Sequence, residues 1–208
     1  MDKMTRRMFT ATGFAFALAA WPTFAQQPQA VRARGTIEKV DGNLLGVKLR
    51  DGTAAKLKLK DNANVRAVVP AKLTDIKAGS MVGITSIPQA DGGLKAYEVH
   101  TFPPAQRVNE GNNPYDTEPN SLMTNGRVET SVAAVEGQVL TVKYKQGDKV
   151  DEKKITVTPQ TIIVTTVPGD KSDLKPGAKF VVFRAIKQPD GVLETDTISV
   201  GRGIAPPM

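Results

Sequence analysis

The stretch LTDIKAGSMVGI, Leu73 to Ile84, decides the fold, because KSDLKPGAKFVVF, Lys171 to Phe183, repeats its plan late in the chain. Each runs Asp, a branched aliphatic, Lys, a small residue or Pro, Gly, and then an apolar strand. Asp75 and Asp173 (or Ser172) suit the cap of a single helical turn, where a side-chain oxygen accepts from backbone N–H groups that lack partners. Ile76 and Leu174 then point inward as plugs, and Gly79 and Gly177 let the backbone turn out into the next strand. Those strands are Met81-Val82-Gly83-Ile84 and Phe180-Val181-Val182-Phe183.

Outward from the plugs the chain alternates with period two. Val47 and Leu49 oppose Lys48 and Arg50, and Leu57 and Leu59 oppose Lys56, Lys58 and Lys60. Asp41-Gly42-Asn43 and Asp51-Gly52 mark the turns of a meander. Further correspondences hold at near-constant spacing. Gly35-Thr36-Ile37 answers to Gly126-Arg127-Val128, and Lys56-Leu57-Lys58-Leu59 to Lys154-Ile155-Thr156-Val157. Val69-Pro70 answers to Val167-Pro168, and Asp91-Gly92-Gly93-Leu94 to Asp190-Gly191-Val192-Leu193. The expectation is an all-β protein, a tandem duplication of a small five-stranded OB-like barrel, each copy with a short helical turn after its third strand. An SH3-like barrel is the structural competitor. The barrels are expected at 30–103 and 124–204, joined by a Pro/Asn-rich irregular linker at 104–123. Within the linker, Pro114, Tyr115, Pro119, Leu122 and Met123 give Asn113 to Met123 something to bury, which predicts that the segment docks between the barrels.

The chain begins with an address. MDKMTRRMFTATGFAFALAAWPTFAQQ has a basic start, an apolar run from Met8 to Ala20 and a small-residue exit, so residues 1–25 read as a signal peptide cleaved after Ala25. Arg6 and Arg7 give it a twin-arginine-like character, with Sec export the other route. The expected location is the periplasm of a Gram-negative bacterium. Past Ala25 no apolar run approaches the ~20 residues of a membrane span, so no transmembrane span is expected in the mature chain.

Of 208 residues none is Cys and one is His, which excludes thiolate metal sites, disulfides and cysteine nucleophiles. The formal net charge is +7. The quoted openings RGTIEKVDGNLLGVK, DIKAGSMVGI and AYEVHTFP, the linker NPYDTEPNSLMTN, VPGDKSDLKPGA and the terminal APPM resemble a group of proteobacterial periplasmic proteins. Such chains are often labelled "metal ABC transporter permease". The resemblance implies OB-like β domains of unknown function and brings no catalytic residues with it.

Three sets of residues are candidates for a site. Lys48, Arg50, Lys56, Lys58 and Lys60 share the polar face of one hairpin and suit an anionic ligand, envelope polymer or lipid headgroup; as a plain solvated face they discourage edge pairing. Nucleic acid is not the expected partner, because few aromatic stacking platforms accompany them. Alternation in AYEVHTFP places Ala96, Glu98 and His100 on one face and Tyr97 and Val99 on the other. Glu98 and His100 with a linker acid, Asp116 (or Glu110 or Glu118), would make a divalent-metal site; two alone are too few, and the other reading is an exposed pair at a strand end. Tyr97, His100, Tyr115 and Asp116 are expected near a cleft between the barrels. No G-x-S-x-G elbow appears, and Glu38 with Asp41, and Asp151 with Glu152, fall at turns or beside lysines, so the chain is not expected to be an enzyme. These readings imply an exported, non-catalytic binding or interaction module with an anionic ligand or an envelope protein as partner and no cofactor. The alternative is a metal-binding accessory protein of an envelope transporter.

Overall fold

In the computed structural model, residues 30–206 are described apart from residues 105 and 136. Arg6, Arg7 and Ala25, expected to belong to a signal peptide, lie outside the described residues. The elements are β1 (Ala30–Asp41), β2 (Leu44–Leu49), β3 (Ala54–Pro70), a 3₁₀ turn (Leu73–Asp75), β4 (Met81–Pro88) and β5 (Leu94–Thr101). They continue with β6 (Gly111–Pro114), β7 (Leu122–Ala134), β8 (Gly137–Gln146), β9 (Lys149–Val157), β10 (Ile162–Pro168), a second 3₁₀ turn (Lys171–Asp173), β11 (Lys179–Lys187) and β12 (Leu193–Gly201). The protein is all-β, and no described helix is long and apolar enough to cross a membrane.

One five-stranded barrel closes in the order β1-β2-β3-β12-β11 and back to β1. Counted in chain order, the third and fifth strands of that barrel, β3 and β12, are parallel neighbours and all other neighbours antiparallel, which is an OB-like arrangement. Its strands come from both ends of the chain. The expected boundaries, 30–103 for one barrel and 124–204 for the other, therefore cut across the observed pairing. The remaining strands β4, β5, β7, β8 and β9 wrap a second core, in which β9 meets β5 at one registered pair, Lys95↔Thr156. β10 joins the two groups by pairing antiparallel to β3 and parallel to β5.

The plugs follow the same exchange. Leu174 is 6% exposed and sits in the first core with Ile37, Leu57, Phe180 and Ile198. Ile76, also 6% exposed, sits in the second core with Ile84, Val128, Leu140 and Ile155. Each following glycine has the expected left-handed backbone, with φ of 84° at Gly79 and 87° at Gly177. Each also bonds across: Gly177 N–H donates to the Ile37 carbonyl at 2.8 Å, and Gly79 N–H to Val128 at 2.7 Å. The caps differ in detail from expectation. Asp170, not Ser172 or Asp173, accepts from the Ser172 N–H at 2.7 Å, while Asp75 and Asp173 reach back to the N–H groups of Lys72 and Asp170. Leu174 thus closes the barrel built on β1–β3, and the hairpin that it introduces, β11–β12, completes that barrel.

The segment expected to be an irregular linker, 104–123, is partly strand. Gly111–Pro114 pairs with Leu122–Asn125 as a hairpin, and Leu122 and Met123 already belong to β7. Its loop is held by Tyr115 N–H to the Ser121 carbonyl at 2.8 Å and by the Ser121 hydroxyl to the Tyr115 carbonyl at 3.1 Å. The tip reaches the outside of the closed barrel at β1 and β2.

Candidate functional site

The site is built where the outer face of β1 and β2 meets β5 and the 115–121 loop. Register fixes the barrel side. Thr36 is paired with both Lys48 and Lys179, and Arg34 with Val181, so these side chains share the outer face. Val181 is 1% exposed although it stands on that outer face, because the barrel is covered here. The uncovered part is a groove of about 520 Å³ lined by Arg34, Lys48, Arg50 and Lys179, with Tyr97 and Thr117 on the opposite wall. No carboxylate lines it among the described residues. An adjoining hollow of about 290 Å³ shares Arg34 and Arg50 and adds Arg32, Asp51 and Asp116.

The loop tip binds the arginines directly. Arg32 Nη1 donates to Asp116 Oδ1 at 2.7 Å, and Arg34 Nη2 to the same oxygen at 2.9 Å. Arg34 Nη2 also reaches the Tyr115 hydroxyl at 3.2 Å, and Arg50 Nη2 donates to the Thr117 carbonyl at 3.0 Å. The Arg32 and Arg34 guanidiniums lie 4.7 and 5.4 Å from the centre of the Tyr115 ring, within cation–π range. Partial burial pushes the Asp116 carboxyl up, but the hydrogen bond and charge of Arg34, with the charge of Arg32, outweigh it and hold the group below the ordinary carboxylate value. Burial raises the Tyr115 hydroxyl against the pull of the same two cations.

Behind this surface lies a second polar feature. Glu98 and His100 are buried, at 1% and 2% exposure, which corrects the reading of an exposed pair. The predicted facing is corrected as well. The β4–β5 register shifts between Thr85 and Ser86, a bulge, and Ala96 and Val99 both enter the second core. Glu98 opposes Thr85, near enough to Arg34 to feel its charge. Both Glu98 carboxylate oxygens, Thr85 Oγ1, Thr117 Oγ1 and Arg34 Nε lack a hydrogen-bond partner among the described residues. Burial raises the Glu98 carboxyl to about 8, with the Arg34 charge opposing it, so the group is mostly neutral at pH 7. His100 stacks on Phe102 with centroids 4.6 Å apart, and its Nε2 lies 2.6 Å from Thr166 Oγ1. Burial, then the Arg66 charge, lowers it to about 4.

The predicted residues are thus redistributed. Lys48 and Arg50 line the groove. Lys56 faces a different hollow, of about 920 Å³, whose lining also includes Arg32 and Lys187 with the acids Glu38 and Asp190. Lys58 lies 4.0 Å from Glu194, and Lys60 is exposed. Tyr97 faces the groove and Tyr115 and Asp116 close its end, while His100 is packed against Thr166 and Phe102. Glu98, His100 and Asp116 do not assemble: Asp116 is held by Arg32 and Arg34, and no three His, Cys, Asp or Glu among the described residues are placed to hold a metal ion. Arg32, Arg34 and Lys179 were missed. The signal for the two arginines is the alternation Val31-Arg32-Ala33-Arg34, which puts both guanidiniums on one face of β1, whereas Lys179 arrives through the β1–β11 register. Compared with family models, with curated proteins and with solved structures, the chain matches none.

Proposed function

We propose that the chain is an exported, non-catalytic binding module whose ligand or partner presents negative charge to the groove between the closed barrel and β5. The observation that carries this reading is the groove itself: Arg34 of β1, Lys48 and Arg50 at the end of β2, and Lys179 at the start of β11 converge on one space, with no carboxylate among the described lining residues. Gathering like charges costs stability unless something answers them, so their convergence is spent on recognition. Tyr97 on the opposite wall offers a flat apolar surface and a hydroxyl to the rest of the ligand. The basic, apolar, small-residue leader and the resemblance to periplasmic OB-like proteins support an envelope partner. The two plug sequences support descent of the chain from a duplicated unit.

The test is a calorimetric titration of the mature protein with inorganic pyrophosphate and with citrate at low salt. The Lys48→Glu/Lys179→Glu variant should lose binding, and Lys56→Glu/Lys60→Glu should keep it. Equal loss in both double variants would reduce the groove to general surface charge and overturn the reading.

A further inference from the structure

We infer that Arg32, Arg34 and Arg50 form the anchoring subsite of this groove, built for a carboxylate or phosphate group of the ligand, and that Asp116 of the chain itself occupies it as a resident competitor. The inference rests on the groove reading above and adds where the ligand's charge is held and what it must displace.

The subsite has the chemistry of oxyanion recognition. Guanidiniums offer planar forks of donors that match carboxylate and phosphate oxygens. Arg32 and Arg34 are alternate residues of β1, and one oxygen already bridges them at 2.7 and 2.9 Å. The bridging oxygen belongs to a side chain that is 58% exposed, so the position is reachable from solvent. Arg34, by contrast, is 13% exposed and is set by the Tyr115 hydroxyl. A rigid inner guanidinium and a more open outer one make a socket whose shape precedes its occupant.

The loop answers the socket with too little charge. Arg32, Arg34, Arg50, Lys48 and Lys179 face Asp51 and Asp116, so positive charge exceeds negative by three among the lining residues. Arg50 meets only a neutral carbonyl, that of Thr117. A dianionic group bound across the arginines would answer more of this excess than the single Asp116 carboxylate does. The Asp116 side chain, 58% exposed, can swing out while Tyr115 stays in place, because Tyr115 and Ser121 bond to each other and close the neck of the loop.

The experiment compares the mature wild type, Asp116→Asn, and Asp116→Asn combined with Arg32→Gln, each titrated with pyrophosphate and with citrate. Removing an exposed competing carboxylate should tighten binding by roughly five- to tenfold, in keeping with the modest strength of exposed ion pairs. Adding Arg32→Gln should cancel that gain. The probe that gains more tells whether phosphate or carboxylate is the natural group. If wild type binds and Asp116→Asn binds no better, the resident-competitor assignment is overturned and the groove stands. If neither protein binds either probe at low salt, the groove reading itself falls. Asp116 lies on an exposed loop, and an unchanged thermal midpoint for Asp116→Asn confirms that the comparison is between folded proteins.

Discussion

The closed barrel and the second strand group use the same ingredients and end differently. In the closed barrel, β3 runs unbroken from Ala54 to Pro70 and shares eight registered pairs with β12. In the second group the corresponding path is broken into β9 and β10, and β9 shares one pair with β5. The break falls at Thr158-Pro159-Gln160-Thr161, where proline has no N–H to give a ladder. The barrel runs through Asp61-Asn62-Ala63-Asn64 at the comparable place and absorbs its irregularity as a register shift between Thr195 and Thr197 of β12. The proline turn splits the seam with β5 into one pair on β9 and four on β10, whereas the eight pairs with β12 stay on the single strand β3; β10 and the end of β3 also pair with each other. The chemistry follows the seal. Both cores are apolar, but β5 carries the buried ionisable residues Glu98 and His100, where β12 of the closed barrel carries the buried hydroxyls of Thr195 and Ser199. A sealed barrel leaves its outer face for ligands; the open group leaves its strand edges and polar residues in the junction.

The largest expected effect tests whether the two groups exist apart at all. Residues 30–103 hold β1–β5, but β1–β3 need β11–β12 to close, and β4–β5 need β7–β9. Expressed as separate chains, 30–103 and 104–206 should each lack a cooperative unfolding transition. Mixing them should restore one, since every missing partner strand is then present. A cooperative transition and dispersed amide spectrum from 30–103 alone would sink the interlaced pairing and reinstate contiguous barrels.

The next effect sharpens the contrast in buried charge. Glu98 has a folded value of about 8 against 4.5 in the unfolded chain, so between those values the folded protein holds the extra proton. Its contribution is fully present below pH 4.5 and is lost as pH rises through about 8. His100, lowered from 6.5 to about 4, acts in the opposite sense: its contribution is present above pH 6.5 and lost as pH falls through about 4. Between 4.5 and 6.5 the two slopes oppose one another, so stability should be flat there and fall from 6.5 to 8. Glu98→Gln keeps the shape and removes the titration. Relative to wild type it should gain with rising pH, by at most about 5 kcal/mol between pH 4.5 and pH 9. Urea midpoints across that range read it directly. Parallel curves for wild type and variant would show that Glu98 does not titrate in the fold.

What the residues disclosed in advance follows from the range of each signal. Period-two alternation marks inward and outward faces whatever the partner strand, so Val47, Leu57 and Leu59 are inward and Lys56, Lys58 and Lys60 outward, as read. The plug and glycine pattern is local and was legible too. Partner choice is not local. β4–β5 and β11–β12 carry the same alternation, and nothing within either hairpin says which set of three strands it joins. The bulge at Thr85–Ser86 was equally invisible, and it turned the facing of Glu98 relative to Ala96. Of the site, Lys48, Arg50, Tyr97, Tyr115 and Asp116 were picked out as candidates, but as members of three separate sets. Their union depends on where the 115–121 loop lands on β1, which is a tertiary fact.

The smallest effect probes what holds the poorly registered seam. In the closed barrel eight pairs form the seam, and the Thr195 hydroxyl braces the register shift within β12. At the open seam the Thr161 hydroxyl takes that role: it accepts from the Thr158 N–H at 3.0 Å and donates to the Ala96 carbonyl of β5 at 3.0 Å. Thr161 is itself buried, at 9% exposure, so neither bond is easily replaced by water. Thr161→Val preserves the side-chain shape and leaves a donor and an acceptor unanswered beside the single Lys95↔Thr156 pair. The expected cost is about 1–2 kcal/mol, with faster amide exchange confined to Thr158 and to the β5 and β9 residues at the seam. The β3 and β12 amides should keep their protection, because no seam of the closed barrel passes through Thr161. Loss of protection spread evenly over both groups would mean that the seam and the barrel open together, and that the single turn at Pro159 does not divide the molecule's stability.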